Sequence, residues 1–456
     1  MKPTICALSA VLLVACAPVG PDFTSPDLNP PAQFVGGAST ALTDAAQQAW
    51  WKELNDPALN RLVSIGLTQN LDVQAALERI VEAQANARRF GVAAQQTSGD
   101  LSASGSVGET NGVSTDNASV SANAAFVFDL FGGFRRSREQ SEALLDAASF
   151  DVGTVKLAYL SDVVSAYTLV RFFQSSAQIT RETISSRRQT LRVARQRADL
   201  QEGTQLDVAQ AQALLATAEA TLPILEAQAK VNSFVLSTLL NVPTRDVASI
   251  LATGGGIPAP AIRSSGLPAD LLRNRPDIRT AERNLAAATA AIGVSDAQLY
   301  PSLNVAGVVS ASDPDSWAFG PNISVPILGR GSLAADRDVA QSQAVQSELA
   351  YRQTYLQAIE EVQTAIVLTK ARRDEIAAFT TAASSSERAL NLAVQSYDAG
   401  VSIIDTVLDA ERARLADRLS LAQAHNDYVQ AWVGLQISVG KGWAVLPEDA
   451  KVAILK

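Results

Sequence analysis

Histidine and cysteine are almost missing from this chain of 456 residues, which has one histidine, His425, and two cysteines, Cys6 and Cys16. Protein zinc sites draw three or four ligands from Cys, His and carboxylate side chains, and a Ser-His-Asp triad needs a histidine base. One chain therefore cannot build a Cys/His metal cluster, and a triad has a single candidate base. The sequence predicts no cofactor and no enzymatic activity, although chemistry by carboxylates alone stays open.

The chain also has no run of basic residues, and it has few aromatic residues. The chain has 37 Lys and Arg residues against 46 Asp and Glu residues, a formal net charge of -9, and its basic residues are scattered. Because nucleic-acid binding depends on basic surfaces that follow phosphates, no nucleic-acid partner is expected. Aromatic residues make up 5% of the chain although 47% is hydrophobic, which favours slender, closely packed helices rich in Ala, Leu and Val.

The amino terminus has an apolar run that is too short to cross a membrane. Residues 5–15 give about 11 apolar positions, whereas a transmembrane helix needs about 20. The run ends in Leu13-Val14-Ala15-Cys16, which resembles a bacterial lipobox. We expect residues 1–15 to be an export signal, Cys16 to be lipidated, and Ala17, where many inner-membrane lipoproteins have Asp, to permit sorting to the outer membrane. An ordinary signal with an incidental cysteine is the alternative.

Two halves of the chain follow one plan. The segment 70–73, Asn-Leu-Asp-Val, aligns with 275–278, Arg-Pro-Asp-Ile, and Ala211-Gln212 aligns with Ala410-Glu411, at shifts of about 200 residues. In each half, helical periodicity gives way to an alternation of apolar and Ser or Asn residues, and then returns for about 65 residues. The pattern predicts helix, β-hairpin, very long helix, tight turn and helix, twice over.

The predicted elements have approximate bounds. The first copy has a helix at 57–96, strands near 101–107 and 119–128, a long helix at 136–200 and a last helix ending at Asn241. The second has a helix at 268–299, strands at 303–310 and 319–327, a long helix at 333–398 and a last helix ending at Gly440. Gly203 and Gly400 are expected to supply the left-handed turns that end the long helices.

These elements divide the chain into six parts. They are a signal at 1–15, a lipidated amino-terminal segment at 16–56, the first repeat at 57–243, a linker at 244–267, the second repeat at 268–443 and a tail at 444–456. Four strands with one apolar face cannot close alone in lipid, so other copies must complete them, with 8 strands in a dimer or 12 in a trimer.

The chain resembles the TolC/OprM-type outer membrane efflux factors, in particular their NodT-like lipoprotein branch. The matching segments are the lipobox at Cys16, Trp50-Trp51 before Asp56-Pro57, 128–133 (Phe-Asp-Leu-Phe-Gly-Gly), Arg275-Pro276-Asp277, Gly293-Val294 before Tyr300-Pro301, 407–412 (Val-Leu-Asp-Ala-Glu-Arg) and 440–443 (Gly-Lys-Gly-Trp). The resemblance implies a mostly helical homotrimer whose 12-stranded membrane β-barrel continues into a periplasmic α-helical barrel. It also implies a passive export channel in the outer membrane, served by a periplasmic adaptor and a proton-driven or ATP-driven inner-membrane pump.

Candidate gate residues lie near the tips of the predicted helical hairpins. Asp405 and Asp409 are four residues apart, so they share a helix face, and threefold symmetry would arrange them as rings at a constriction. The resemblance implies two such aspartates. Asp409 matches one, but Thr406 stands at the other position, with Asp405 beside it. A solvated helix start, where the helix dipole favours Asp, is the alternative interpretation.

The resemblance also implies hydrogen bonds that hold the closed state. Asp207 and Tyr397 match an acid and a tyrosine that form one such link, whereas Ser402 stands where an arginine of a second link is expected. An ordinary, partly buried tyrosine is the alternative for Tyr397. For the whole chain, the competing hypotheses are a structural or adhesive coiled-coil lipoprotein, which leaves the two hairpins unexplained, and a carboxylate-dependent envelope hydrolase.

Overall fold

The computed structural model describes residues 18–28, 45–110, 112–253, 255–260, 274–312 and 315–444. The predicted signal at 1–15 and Cys16 lie outside the described residues. So do residues 261–273, where the second repeat was expected to begin, and 445–456 of the expected tail.

The order of elements repeats as the sequence predicts. Two 3-10 helices, Ala45–Gln47 and Trp50–Leu54, precede α1 (Pro57–Gln69), α2 (Leu71–Arg89), α3 (Val92–Gln96), β1 (Thr97–Thr110), β2 (Val113–Phe128), α4 (Gly133–Asp199), α5 (Gln205–Leu240) and α6 (Thr244–Leu251). The second half contains α7 (Pro276–Ala297), β3 (Ser302–Ala311), β4 (Ser316–Ser324), α8 (Arg330–Asp398) and α9 (Ile404–Ser438). The chain is therefore mostly helical and has two structural repeats.

Several elements depart from their predicted bounds. The predicted helix at 57–96 is interrupted at Asn70, whose side-chain oxygen accepts a hydrogen bond from Val73 N (3.0 Å) and so starts α2, and again at Gly91, which is extended. Strand β4 ends at Ser324 instead of reaching residue 327, and Pro326 has no N–H for a strand ladder. Helix α6 lies within the predicted linker, where Val247, Ile250 and Leu251 are buried at helical spacing.

The chain forms two compact units. One comprises the described parts of residues 1–29, 76–152 and 276–356, and it contains the antiparallel sheet in the order β1-β2-β3-β4. Directly opposed residues form one row of Leu101, Ala122, Val309 and Trp317, and the next row is Ser102, Ser121, Ser310 and Ser316. Because neighbours along a strand point to opposite faces, one face is apolar and the other polar, as the alternation predicts.

The other unit comprises the described parts of residues 30–75, 153–275 and 357–456. One of its cores packs Trp50, Leu59, Leu62, Tyr167, Leu236, Leu240 and Trp432. Within it, the Tyr167 hydroxyl donates to Asp56, and Arg171 donates to Tyr167 Oη (2.9 Å) and to Leu251 O (3.0 Å). These bonds tie the segment before α1 and the end of α6 to α4.

Within the described ranges, none of the helices combines the length and the low polarity that a bilayer span requires.

Candidate gate at the tips of the helical hairpins

The first hairpin tip joins α4 to α5 through residues 200–204. Gln201 N donates to Ala198 O (3.1 Å) and Glu202 N donates to Arg197 O (2.8 Å), which is the hydrogen-bond pattern of a Schellman motif. Gln201 takes the left-handed conformation with φ +61°. The expectation that Gly203 supplies this conformation is wrong. Gly203 lies in the tip for a different reason, because a Cβ there would lie 3.3 Å from Arg197 Cβ and 3.4 Å from Asp207 Oδ2.

The second tip joins α8 to α9 and ends the long helix in the same way. Gly400 N donates to Tyr397 O (3.0 Å), Val401 N donates to Ser396 O (2.9 Å), and Gly400 has φ +73°. Here the predicted glycine does supply the left-handed residue. Gly400 therefore corresponds to Gln201 of the first tip, not to Gly203.

The two returning helices begin differently. Thr204 and Asp207 form a capping box, in which Thr204 N donates to Asp207 Oδ2 (2.8 Å) and Asp207 N donates to Thr204 Oγ1 (3.2 Å). At the second tip the cap position is Ile403, which has no side chain that can accept such a bond. The Asp207 carboxylate is thus engaged with the start of its own helix.

Asp405 and Asp409 both lie on the exposed side of α9, opposite the buried residues Ile404, Val407 and Leu408. Asp405 is in the first turn, where the helix dipole favours a negative charge. Asp409 pairs with Arg412 on the next turn of the same helix. The structure therefore places the two acids on one surface, as predicted, and adds a positive charge beside one of them.

Tyr397 is buried between the hairpins rather than free at their surface. The Arg197 guanidinium of α4 lies 4.2 Å from the centre of the Tyr397 ring, and its Nη2 donates to Asp398 O (3.0 Å). Burial raises the pKa of the Tyr397 hydroxyl, Arg197 opposes this rise, and the negative charge of Asp207 adds to it. Asp207 and Tyr397 thus lie close enough to interact electrostatically, and the hydrogen bond between them stays a prediction.

Below the tips, all four long helices contribute to one apolar core. Its members include Ile184, Leu191, Ala211, Leu214, Leu390, Tyr397, Val407 and Leu408. The gate candidates therefore lie next to a packed core of four helices. Their side-chain positions depend on how α8 and α9 pack against α4 and α5.

The segment that follows Cys16 is attached to the first unit. Val19 N donates to Phe131 O (3.0 Å), and the buried Arg136 donates to Val19 O (3.0 Å) and Gly20 O (3.1 Å) and pairs with Asp22 (2.8 Å). Gly20 packs against Gly293, and a Cβ on Gly20 would lie 2.5 Å from Gly293 Cα. The segment from Val19 to Asp22 is therefore held by contacts with Phe131, Arg136 and Gly293.

Sequence reasoning missed several of these contacts. The capping box was visible as Thr204 followed three residues later by Asp207, and the Asp409–Arg412 pair as opposite charges at helical spacing. Arg197 and Tyr397 are far apart in the chain, so no local pattern could join them.

Comparison with known proteins places the chain in a family. The sequence profile described as "Outer membrane efflux protein" matches residues 62–242 and 267–441. Nodulation protein T of Rhizobium leguminosarum bv. trifolii is 35% identical over 454 residues, covering 95% of this chain and 96% of that protein. The solvent efflux pump outer membrane protein SrpC of Pseudomonas putida is 30% identical, covering 98% of this chain and 99% of that protein.

A solved structure gives the same result. The outer-membrane channel OprN superposes with a TM-score of 0.84 at 30% sequence identity, covering 93% of this chain and 99% of that one. The chain belongs to the outer membrane efflux protein family, and it is an outer membrane channel of an efflux system. The relatives are channel proteins rather than enzymes.

Proposed function

We propose that three copies of this chain form one export channel through the outer membrane, fed by a periplasmic adaptor and an inner-membrane pump. The observation that carries this proposal is the sheet. Among the described residues, the outer edges of β1 and β4 pair with no further strand, and the apolar row that includes Leu101, Val309 and Trp317 is exposed. An open edge and an apolar face are not stable together in water, and an open edge is not tolerated in lipid.

Pairing β4 of one copy with β1 of the next completes every edge. Three copies of four strands make a 12-stranded barrel with the apolar rows outside and the serine rows inside. The four long helices of each copy, α4, α5, α8 and α9, then contribute to a periplasmic tunnel of 12 helices. In this proposal the repeats occupy 57–243 and 268–443, separated by the segment 244–267, and Cys16 carries the lipid anchor.

The hairpin tips form the regulated end of this tunnel. Asp405 and Asp409 stand exposed on α9, and three copies would present them as rings that attract cations. The negative charge of Asp207 contributes to the raised pKa of the Tyr397 hydroxyl. In this proposal the two groups form a hydrogen bond in the closed state. Tyr397→Phe keeps the ring that contacts Arg197 and removes only that hydroxyl, so it should raise the open fraction in single-channel recordings.

The decisive experiment measures oligomeric mass and conductance on the same sample. Full-length protein extracted in detergent should have the mass of a trimer and should give discrete, uniform conductance steps in planar bilayers. A monomeric mass without conductance would overturn the proposal. Cross-linking in cells followed by purification should then recover an adaptor protein with the trimer.

A further inference from the structure

A buried ion pair joins α4 to α9 just below the hairpin tips. Glu411 of α9 is 2% exposed and Arg187 of α4 is 3% exposed, and Arg187 Nε lies 3.6 Å from Glu411 Oε2. Glu411 Oε1 accepts hydrogen bonds from Thr190 Oγ1 (2.8 Å) and Ser186 Oγ (3.2 Å), and Arg187 Nη1 donates to Leu214 O of α5 (2.7 Å). The pair thus connects three of the four long helices.

The pairing is incomplete. Arg187 Nε and Glu411 Oε2 are both buried, and neither has a hydrogen-bond partner among the described residues. Their separation of 3.6 Å exceeds the usual length of an N–H···O bond. Removing two charges from water is costly, and their attraction offsets that cost only when the geometry is good and the remaining lone pairs are satisfied. The pair meets neither condition where Arg187 Nε faces Glu411 Oε2.

A second ion pair between the same two helices is exposed to solvent and provides a comparison. Arg418 of α9 and Glu182 of α4 also join these two helices, at 2.6 Å, but their side chains are 28% and 41% exposed. Water solvates such a pair whether or not it is formed, so it contributes little in either direction. Among the described residues, these two helices therefore share one solvated ion pair and one buried ion pair.

Glu411 lies two residues from Asp409 on the same helix, so a displacement of α9 that moves the acidic side chains also separates Glu411 from Arg187. We propose that Arg187 and Glu411 form a metastable latch, whose incomplete buried pairing holds α9 against α4 only weakly, so that the tips open at little cost. This inference rests on the proposed function, because it assumes that the tips are the gate.

The latch predicts effects of opposite sign for single and double substitutions. Arg187→Met or Glu411→Leu alone leaves one buried charge without its partner, which disfavours the packed arrangement and should raise the open-to-closed ratio. Replacing both removes the two charges together and leaves apolar side chains of similar length, which often stabilises a buried site. The double variant should therefore open less often than the wild type. Ser186 and Thr190 can turn their hydroxyls to carbonyl groups one helix turn earlier, and Ser186 O lies within reach of Thr190 Oγ1 at 3.3 Å.

Single-channel recordings of the full chain test this as a double-mutant cycle. We expect a coupling between the two positions of about tenfold in the open-to-closed ratio, with the double variant below the wild type. The matched cycle of Arg418→Met and Glu182→Leu, on the same two helices, should show little coupling and no reversal. Additive effects at Arg187 and Glu411, or equal coupling in both cycles, would overturn the latch.

The failure of the latch is distinct from the failure of the proposed function. If the wild type does not conduct, the channel proposal fails whatever the variants do, whereas a conducting wild type with unchanged variants rejects the latch alone. If a variant with leucine does not assemble, Glu411→Gln replaces it. Its amide oxygen still accepts from Ser186 and Thr190, whereas the charge and the acceptor atom that faces Arg187 are lost. Gating of Glu411→Gln that equals the wild type would also reject the latch.

Discussion

At the scale of single residues, the charge at the hairpin tips depends on neighbours within one helix turn. Asp409 is exposed, but Arg412 pairs with its carboxylate. In the proposed trimer, the negative field that a ring of these acids presents to ions would therefore be partly offset by Arg412. Such exposed pairs are weak, so a permeating cation can compete with Arg412 for the carboxylate.

This arrangement predicts opposite effects for the two partners. Asp409→Asn should lower the preference for cations over anions, and Arg412→Gln should raise it because the carboxylate loses its positive neighbour. A change of about twofold in the permeability ratio is expected for each, measured as reversal potentials across a salt gradient. Asp405→Asn is the comparison variant. Asp405 shares the exposed face of α9 with Asp409, so its replacement should lower the cation preference in the same direction. Equal ratios in all variants would place the selective region elsewhere.

Glu411 gives a second prediction at this scale, for pH. Burial raises the pKa of its carboxyl, and the opposing effects of Thr190, Arg187, Ser186 and Arg414 do not cancel that rise. The folded chain therefore binds this proton more tightly than the unfolded chain. The contribution of Glu411 to the free energy of unfolding should then increase as the pH falls through the raised pKa toward the ordinary value of about 4.3.

Thermal unfolding in one detergent, at about pH 7.5 and about pH 5, measures this difference. Relative to Glu411→Gln, the wild type should gain stability at the lower pH, since the glutamine variant lacks the titrating group. His425 and the other acids are common to both proteins and cancel in the comparison. A gap between the two proteins that stays constant, or that moves against the wild type in acid, would contradict the assignment.

At the scale of elements, the two hairpin tips end their long helices with the same backbone geometry but with different residues in the left-handed position. Both long helices end in a Schellman motif, which needs a left-handed residue, and that residue is Gly400 in one tip and Gln201 in the other. A residue with a Cβ pays about 1–2 kcal/mol in this conformation, whereas glycine does not. The first tip therefore carries backbone strain that the second tip lacks.

Exchanging these residues should show the strain directly. Gln201→Gly should raise the free energy of unfolding by about 1 kcal/mol, and Gly400→Ala should lower it by a similar amount. A Cβ at Gly400 meets no atom within 4 Å, so its cost is conformational alone. Calorimetry of the purified protein in detergent measures both. Gly203→Ala is the contrasting control, because its Cβ would crowd Arg197 and Asp207. Destabilisation by Gln201→Gly would show that the side chain of Gln201 matters more than its backbone.

Periodicity predicted the elements well because helices and strands repeat over many residues. The serine rows of the sheet and the lengths of α4 and α8 follow from such repeats. Periodicity could not predict which residue of the first tip is left-handed, because that conformation occurs at one position and leaves no repeat. Gly203 is the expected residue because glycine favours this conformation, but the left-handed residue is Gln201, two positions earlier. The contact between Arg187 and Glu411 could not be predicted from the sequence for another reason. They are on different helices, and Glu411 in the sequence has the appearance of an ordinary charged helix residue.

At the scale of the whole molecule, the sheet has β1 and β4 at its outer edges, and among the described residues neither pairs with a further strand there. On β1 and β2 the apolar residues alternate mainly with Ser and Asn, and the register carries one apolar row on through Val309 of β3 and Trp317 of β4. In the proposed trimer, a barrel built from three such sheets would have a lipid-facing outside and a hydrated inside because of this alternation.

Neighbouring positions on β3 test which face is which. Val309 is in the apolar row and Ser310 is in the serine row, so their side chains point to opposite faces of the same strand. Val309→Arg places a charge against lipid, which costs about 2–4 kcal/mol near the bilayer midplane and less near its surfaces. This variant should yield less trimer in outer-membrane fractions. Ser310→Arg adds the same side chain to the water-filled interior, so the trimer should assemble normally and conduct cations less well.

The two variants differ by one position in the chain, so general effects of an added arginine cancel. Normal insertion of Val309→Arg together with failed insertion of Ser310→Arg would mean that the serine face, not the apolar face, meets the membrane.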